Sequence, residues 1–345
     1  MLDPLPRYRT GDRHLDRAIG ELVESVHEDD QEFVFELIVS AIRMGREDVD
    51  RGDIKLVTAA LKELRYSFHV FAPYRDIRKC AIFGSARTST GDPGYAAARE
   101  FASAIADKGW MVITGAGPGI MEAGHAGAGA ENSFGVNIVL PFESGANPVI
   151  AEDPKLVNYR YFFTRKLMFV KESHGFVLLP GGFGTMDEAF ELLTLMQTGK
   201  TDLAPVVLLD PPGGSYWPQW RAFVEDELVE GGLISPDDLG LVKITDSVEA
   251  AVDDICLFYR TFHSQRFVGS RLILRLQRDL SDTEIESLND EFGDIVERGS
   301  IERAEVSDAE LRDHDEIDRP RIALRFDKRH WARLRHLIDT LNGSH

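Results

Sequence analysis

The chain has 345 residues, 43% hydrophobic and 28% charged, which fits a folded globular protein and excludes wholesale disorder. Its formal charge of −19 sets up an average field that repels phosphate backbones and anionic bilayers, so neither nucleic-acid nor membrane binding is expected. A small phosphorylated ligand could still bind through local donors.

Cys80 and Cys256, the two cysteines, each sit in an apolar run, with neither a disulfide framework nor metal-ligand spacing. A reducing cytoplasm is therefore the expected location. Met1-Leu2-Asp3-Pro4-Leu5-Pro6 has no long apolar core, so no signal peptide is expected. No uncharged apolar run approaches the roughly 18 residues of a membrane helix.

Residues 1–75 read as a helical flank. Leu15, Ile19, Leu22 and Val26 recur at helical spacing, Phe33, Leu37 and Ile38 continue the pattern, and a third run spans Ile54 to Phe71 ahead of Pro73. No catalytic constellation occurs there; the flank is expected to pack on the core or on a partner subunit.

From about Arg78 strands and helices alternate. Strands are expected at Cys80–Phe83, Trp110–Thr114, Gly135–Leu140, Phe176–Leu179 and Pro205–Leu209, with helices such as Tyr95–Lys108 and Tyr159–Ser173 between them. Strands apolar along their whole length point to an α/β fold, a doubly wound parallel sheet covered on both faces. Residues 264–345 read as a small α+β module of order βαββα, one strand short of a ferredoxin-like unit. Its strands are expected at Leu272–Leu276, Ile301–Val306 and Ile322–Phe326, and its helices at Asp282–Phe292 and Trp331–Leu341. The acidic segment Asp308–Asp318 reads as a solvated loop or hairpin tip. The expected division is thus 1–75, 76–263 and 264–345.

Three glycine-bearing turns follow strands, and in such sheets ligands bind at the strands' carboxyl ends. The first, Gly84-Ser85-Ala86-Arg87, is a weak signal alone. The second, Gly115-Ala116-Gly117-Pro118-Gly119, permits close ligand approach but lacks dinucleotide spacing and equally fits tight helix-on-sheet packing. The third, Pro180-Gly181-Gly182-Phe183-Gly184-Thr185-Met186-Asp187-Glu188, carries the strongest signal. It is expected to bring backbone N–H groups to a phosphate at a helix start, with the Glu188 carboxylate in the first turn. Thr185-x-x-Glu188 also fits a capping box, but a cap does not require the glycines before it. Arg165 and Lys166, on the helix before this strand, read by themselves as ordinary surface cations.

Taken together these segments resemble the LONELY GUY (LOG) family, long labelled as possible lysine decarboxylases. The matching residues are Phe83 to Arg87, Gly115 to Ala123, Asn137 to Glu143, Tyr161 to Lys166, Pro180 to Glu188 and Gln197-Thr198-Gly199-Lys200, across about residues 78–260. The resemblance implies a Rossmann-like fold, a homodimer or higher homo-oligomer, and hydrolysis of the N-glycosidic bond of nucleoside 5′-monophosphates without metal or cofactor. It makes Arg165 and Glu188 the catalytic pair and gives the 5′-phosphate to Gly181, Gly182, Gly184 and Thr185, with Lys166 a further substrate- or phosphate-binding residue. Gly84, Ser85, Gly115, Gly117 and Gly119 would complete the pocket. Ala116 departs from a glycine frequent in that turn. Residue chemistry agrees, since a carboxylate can stabilise a cationic sugar and activate water. A helix N-terminus is expected to keep Glu188 ionised. The rival readings are a non-catalytic nucleotide sensor on the same fold and an assembly module. A regulatory ligand for the C-terminal module would rest on fold shape alone.

Overall fold

The computed structural model describes residues 6–140 and 145–343. Met1–Leu5 and the Pro141-Phe142-Glu143 part of the family resemblance lie outside the described residues.

Contacts divide the chain into two units, Met1–Arg65 and Tyr66–His345. In the first, α1 (Arg13–Leu22) and α2 (Gln31–Arg46) are followed by α3 (Arg51–Phe71), which runs on into the second unit. Asp12 caps α1 through its carboxylate, and Ile19, Val23, Phe35 and Val39 form a small core.

The second unit opens with β1 (Lys79–Phe83), α4 (Pro93–Asp107), β2 (Met111–Thr114), α5 (Ile120–Ala128), β3 (Ser133–Ile138), β4 (Leu156–Tyr159) and α6 (Phe162–Glu172). It continues with β5 (Gly175–Leu178), α7 (Phe183–Gln197), β6 (Val206–Leu209), α8 (Tyr216–Phe223), β7 (Lys243–Thr245) and α9 (Val248–Leu257). The seven strands form one parallel sheet in the order β4-β3-β2-β1-β5-β6-β7. Cys80 and Ile82 of β1 join a core with Phe101 and Ile105 of α4, Ile120 of α5 and Ile255 of α9. Phe83, of opposite parity, meets Phe169 of α6 with ring centroids 4.7 Å apart. Helices therefore cover both faces, which gives the doubly wound, Rossmann-like α/β fold. The five expected strands are present within one or two residues. The edge strands β4 and β7 were not foreseen: Leu-Val-Asn-Tyr and Lys-Ile-Thr are too short and mixed to announce themselves.

A second sheet, antiparallel and ordered β10-β11-β9-β8, is built from β8 (Phe262–Val268), β9 (Arg271–Leu276), β10 (Glu302–Arg303) and β11 (Arg321–Leu324). With α10 (Asp282–Phe292), α11 (Asp308–Arg312) and α12 (Trp331–Asn342) it makes a ββαβαβα unit, so β8 supplies the strand the sequence reading lacked. Ser281 and Glu284 close a capping box at the start of α10.

Most of the acidic segment is exposed, as expected, but it contains a short helix and one of its carboxylates turns inward. Glu310 on α11 is fully buried and bridges Arg275 of β9 (2.9 Å) and Arg321 of β11 (2.7 Å), while Asp315 also bonds Arg275 at 2.6 Å. Arg275 and Arg321 are register partners on one sheet face. A charged face this deep requires counter-charges, and the acidic segment supplies them. The module also meets the parallel sheet's flank: a Cβ on Gly199, at φ +64°, would collide with the Trp331 indole.

Among the described residues no helix is long and apolar enough to cross a membrane. No group of three or more His, Cys, Asp or Glu among them could hold a metal ion. Both cysteines are free thiols.

Candidate functional site

Strand order reverses between β1 and β5, the place where open α/β sheets form a crevice at their carboxyl edge. All three glycine turns leave the sheet there, from β1, β2 and β5, and they are bonded to one another. The Ser85 N–H donates to the Pro180 carbonyl at 3.2 Å, and the Ile120 N–H donates to the Ser85 carbonyl at 3.1 Å. A cleft of about 320 Å³ opens beside them, lined by Ser85, Thr88, Ile120, Pro180, Gly181 and Pro211 among others.

Most of the glycines are explained by close approach. A Cβ on Gly84 would lie 2.6 Å from Ile120, and one on Gly117 would lie 2.7 Å from Met121. On Gly115 it would strike the Arg165 guanidinium, on Gly119 the Ser85 carbonyl, and on Gly181 the Thr185 hydroxyl. Gly119 also sits at φ +69°, where a side chain is strained in any case. Gly182 and Gly184 differ: nothing stands within 4 Å of where their Cβ atoms would be. No internal contact demands glycine at either position.

The helix after this turn starts earlier than the sequence reading had it. Gly182 is the N-cap of α7, no side chain caps the helix, and no acidic residue occupies its first turn. The Thr185–Glu188 capping box is therefore absent, and Thr185 is buried against Gly181. The N–H groups of Phe183, Gly184 and Thr185 are the ones an α-helix leaves without intrahelical partners. Phe183 projects into solvent, 97% exposed.

Glu188 thus lies about one and a half turns into α7, where the dipole no longer helps it. The expectation of a carboxylate kept ionised by the helix start is corrected: burial pushes the half-buried Glu188 up to about 7, against the opposing pull of Lys166 and Arg165. A carboxyl that titrates near neutrality can take or give a proton at working pH.

The two cations of α6 have different settings. The half-buried Arg165 donates from Nε to the Val136 carbonyl at 2.8 Å and lies against Gly115, joining β3 and the second turn to the vicinity of Glu188. Lys166 is clamped by Asp187 and Glu191, each at 2.6 Å, and these carboxylates hold its pKa up although burial opposes it. Its contacts pin α6 to α7. Ser85 lines the cleft and its Oγ accepts the Arg87 N–H at 3.1 Å.

Two features had no sequence signal. Asn147 holds the carbonyls of Ala116 and Gly117 at 3.1 and 3.0 Å, and His125 stands behind it. Tyr216 donates to the Gly181 carbonyl at 2.5 Å from the start of α8. Each reaches the site from a remote segment. The departure at Ala116 gains a cost: its φ is +61°, the left-handed region that glycine occupies freely and alanine does not.

The family described as possible lysine decarboxylase matches residues 118–255. A cytokinin riboside 5′-monophosphate phosphoribohydrolase from Mycobacterium tuberculosis is 29% identical over 156 residues, 45% of this chain and 81% of that protein. An Arabidopsis thaliana protein of the same name is 43% identical over 88 residues, 26% of this chain and 39% of its own length. A pyrimidine/purine nucleotide 5′-monophosphate nucleosidase from Escherichia coli K12 is 28% identical over 132 residues, 36% of this chain and 29% of that protein. The chain thus spans well under half of the plant and E. coli relatives it matches. With the motifs at Gly84–Arg87, Gly115–Ala123 and Pro180–Glu188 gathered at one sheet edge, these matches support the chain's similarity to the LONELY GUY family.

Proposed function

We propose that this chain is a nucleotide phosphoribohydrolase: a nucleoside 5′-monophosphate and water give the free base and ribose 5-phosphate. The observation that carries this reading is the uncapped start of α7. Two glycines with open space in front of them precede a carboxyl poised near pH 7 on the same helix. The 5′-phosphate is held by the N–H groups of Phe183, Gly184 and Thr185, where the bare backbone of Gly182 and Gly184 lets it approach.

As the base departs, positive charge grows on the ribose, and ionised Glu188 stabilises it and accepts a proton from the attacking water. Arg165 keeps its charge throughout and therefore acts by electrostatics, orienting Glu188 or the substrate. Ser85 and the Gly84 and Gly115–Gly119 turns wall the pocket. Lys166 serves by fixing α6 to α7.

The proposal places the reaction in the segment 76–263, between a flank of 1–75 and a module of 264–345, in a cytoplasmic homodimer or higher homo-oligomer. Phe162, Phe163 and Leu167, exposed on α6, support a subunit contact near the site. Incubation with AMP, CMP and a cytokinin riboside monophosphate, followed by chromatography of the free base, tests the activity. Release from at least one substrate is expected, and Glu188→Ala lowers the rate about a thousandfold, roughly 4 kcal/mol of barrier. Folded protein that releases no base from the panel overturns the reading.

A further inference from the structure

The second glycine turn is held from behind by a buried polar group that no substrate reaches. Thr114, His125 and Ala116 are fully buried, and Asn147 is nearly so. His125 Nε2 lies 3.1 Å from the Phe134 carbonyl, which can only accept, so Nε2 carries the proton and donates it. Nδ1 then offers its lone pair to the Asn147 amide, whose Nδ2 lies 3.1 Å away. Burial lowers the His125 pKa and keeps the ring in this neutral form.

The same Nδ2 also lies 3.1 and 3.0 Å from the carbonyls of Ala116 and Gly117, so its two hydrogens are shared among three acceptors, and the Asn147 backbone N–H donates to the Ala116 carbonyl at 2.7 Å. Thr114 Oγ1, 3.0 Å from His125 Nε2, accepts the Ala116 N–H at 3.0 Å. The turn is thus gripped on both sides of a residue whose φ of +61° an alanine does not hold unaided.

What this grip supports is Arg165. One side of its guanidinium lies on Gly115, the first residue of the gripped turn, and its Nε donates to Val136, two residues along β3 from Phe134. Both seats of Arg165 therefore belong to segments that His125 and Asn147 tie together. We propose that Asn147 and His125 are positioning residues of the site: they fix the Ala116–Gly117 turn and the β2–β3 edge on which Arg165 is seated. This rests on the reading of Arg165 as a site residue.

A double-mutant cycle tests it, with AMP turnover and ribose 5-phosphate affinity as separate readouts and thermal melting as the control for folding. Asn147→Ala is expected to lower kcat about tenfold with little change in ribose 5-phosphate affinity. Adding Ala116→Gly, which holds the turn without strain, restores severalfold of the loss. In an Arg165→Ala background Asn147→Ala has no further effect. Equal losses with and without Arg165, or an undiminished kcat in Asn147→Ala, overturn the proposal. Should wild-type protein turn over no monophosphate, the hydrolase reading fails by itself, and the cycle is read from AMP dissociation constants, where additivity overturns the positioning role. Should Asn147→Ala not fold, His125→Gln keeps a donor toward Phe134, removes the Nδ1 link, and carries the same cycle.

Discussion

The turn after β2 and the turn after β5 are equally rich in glycine, yet their glycines answer to different constraints. In Gly115–Gly119 the protein's own atoms occupy the space each Cβ needs: unyielding backbone of Ser85 and Ala86 at Gly119, and the ends of the Arg165 and Met121 side chains at Gly115 and Gly117. In the later turn Gly181 is forced by Thr185, whereas Gly182 and Gly184 face open space with no left-handed φ to excuse them. Internally forced glycines report packing. Glycines without internal cause report something outside the chain that must come close.

The largest break between the two turns is expected from Gly119→Ala. A side chain there meets backbone atoms that cannot move aside, at a positive φ, and the two costs together come to about 3 kcal/mol or more. Chemical denaturation is expected to show that loss, and a change under 1 kcal/mol removes the packing account of this turn. Gly182→Ala is expected to behave in the opposite way. Stability falls by only about 1 kcal/mol, the difference between glycine and alanine at an N-cap. The KM for a nucleoside monophosphate rises about tenfold, near 1.4 kcal/mol, as the methyl obstructs the phosphate. Unchanged KM in a stable Gly182→Ala protein abolishes the contrast.

The smallest effect is a pH dependence behind the open turn. Glu188 titrates near 7 in the folded chain against an ordinary 4.5, so the native state binds its proton more tightly than the unfolded state does. Stability contributed by that proton is therefore present below about 4.5 and lost as pH rises toward 7. Glu188→Gln removes the charge, and its melting temperature is expected to exceed wild type at pH 8 but not at pH 4. In wild-type protein kcat/KM is expected to rise through about pH 7 as the base ionises. A profile flat from pH 5 to 8 excludes Glu188 as the base.

The central strands and the three turns were legible because a buried parallel strand is apolar throughout and the turns that follow carry unusual residues. What stayed hidden depended on partners distant in sequence. Lys166 looks like any surface cation until Asp187 and Glu191 are seen beside it. Asn147 gives no signal, since its partners lie 22 to 31 residues away. The start of α7 was misplaced because Thr185 and Glu188 match a capping box while the N-cap is Gly182. That shift moved Glu188 out of the first turn, and burial, which the sequence does not show, raises its pKa. In the acidic segment most carboxylates are exposed as expected, but nothing in the run marks Glu310 as the one that turns inward to Arg275 and Arg321.

That segment also bears on how the small antiparallel sheet assembles. Arg275 and Arg321 face each other across β9 and β11, and neither can leave water without a counter-charge. Glu310 lies between the strands in sequence, so the link from β10 to β11 must settle onto the sheet as the sheet itself closes. The module then has no stage at which its ladder is complete and its strap still loose. Hydrogen exchange along Asp308–Asp315 should accordingly keep pace with exchange in β9 and β11, where a peripheral loop would open far sooner.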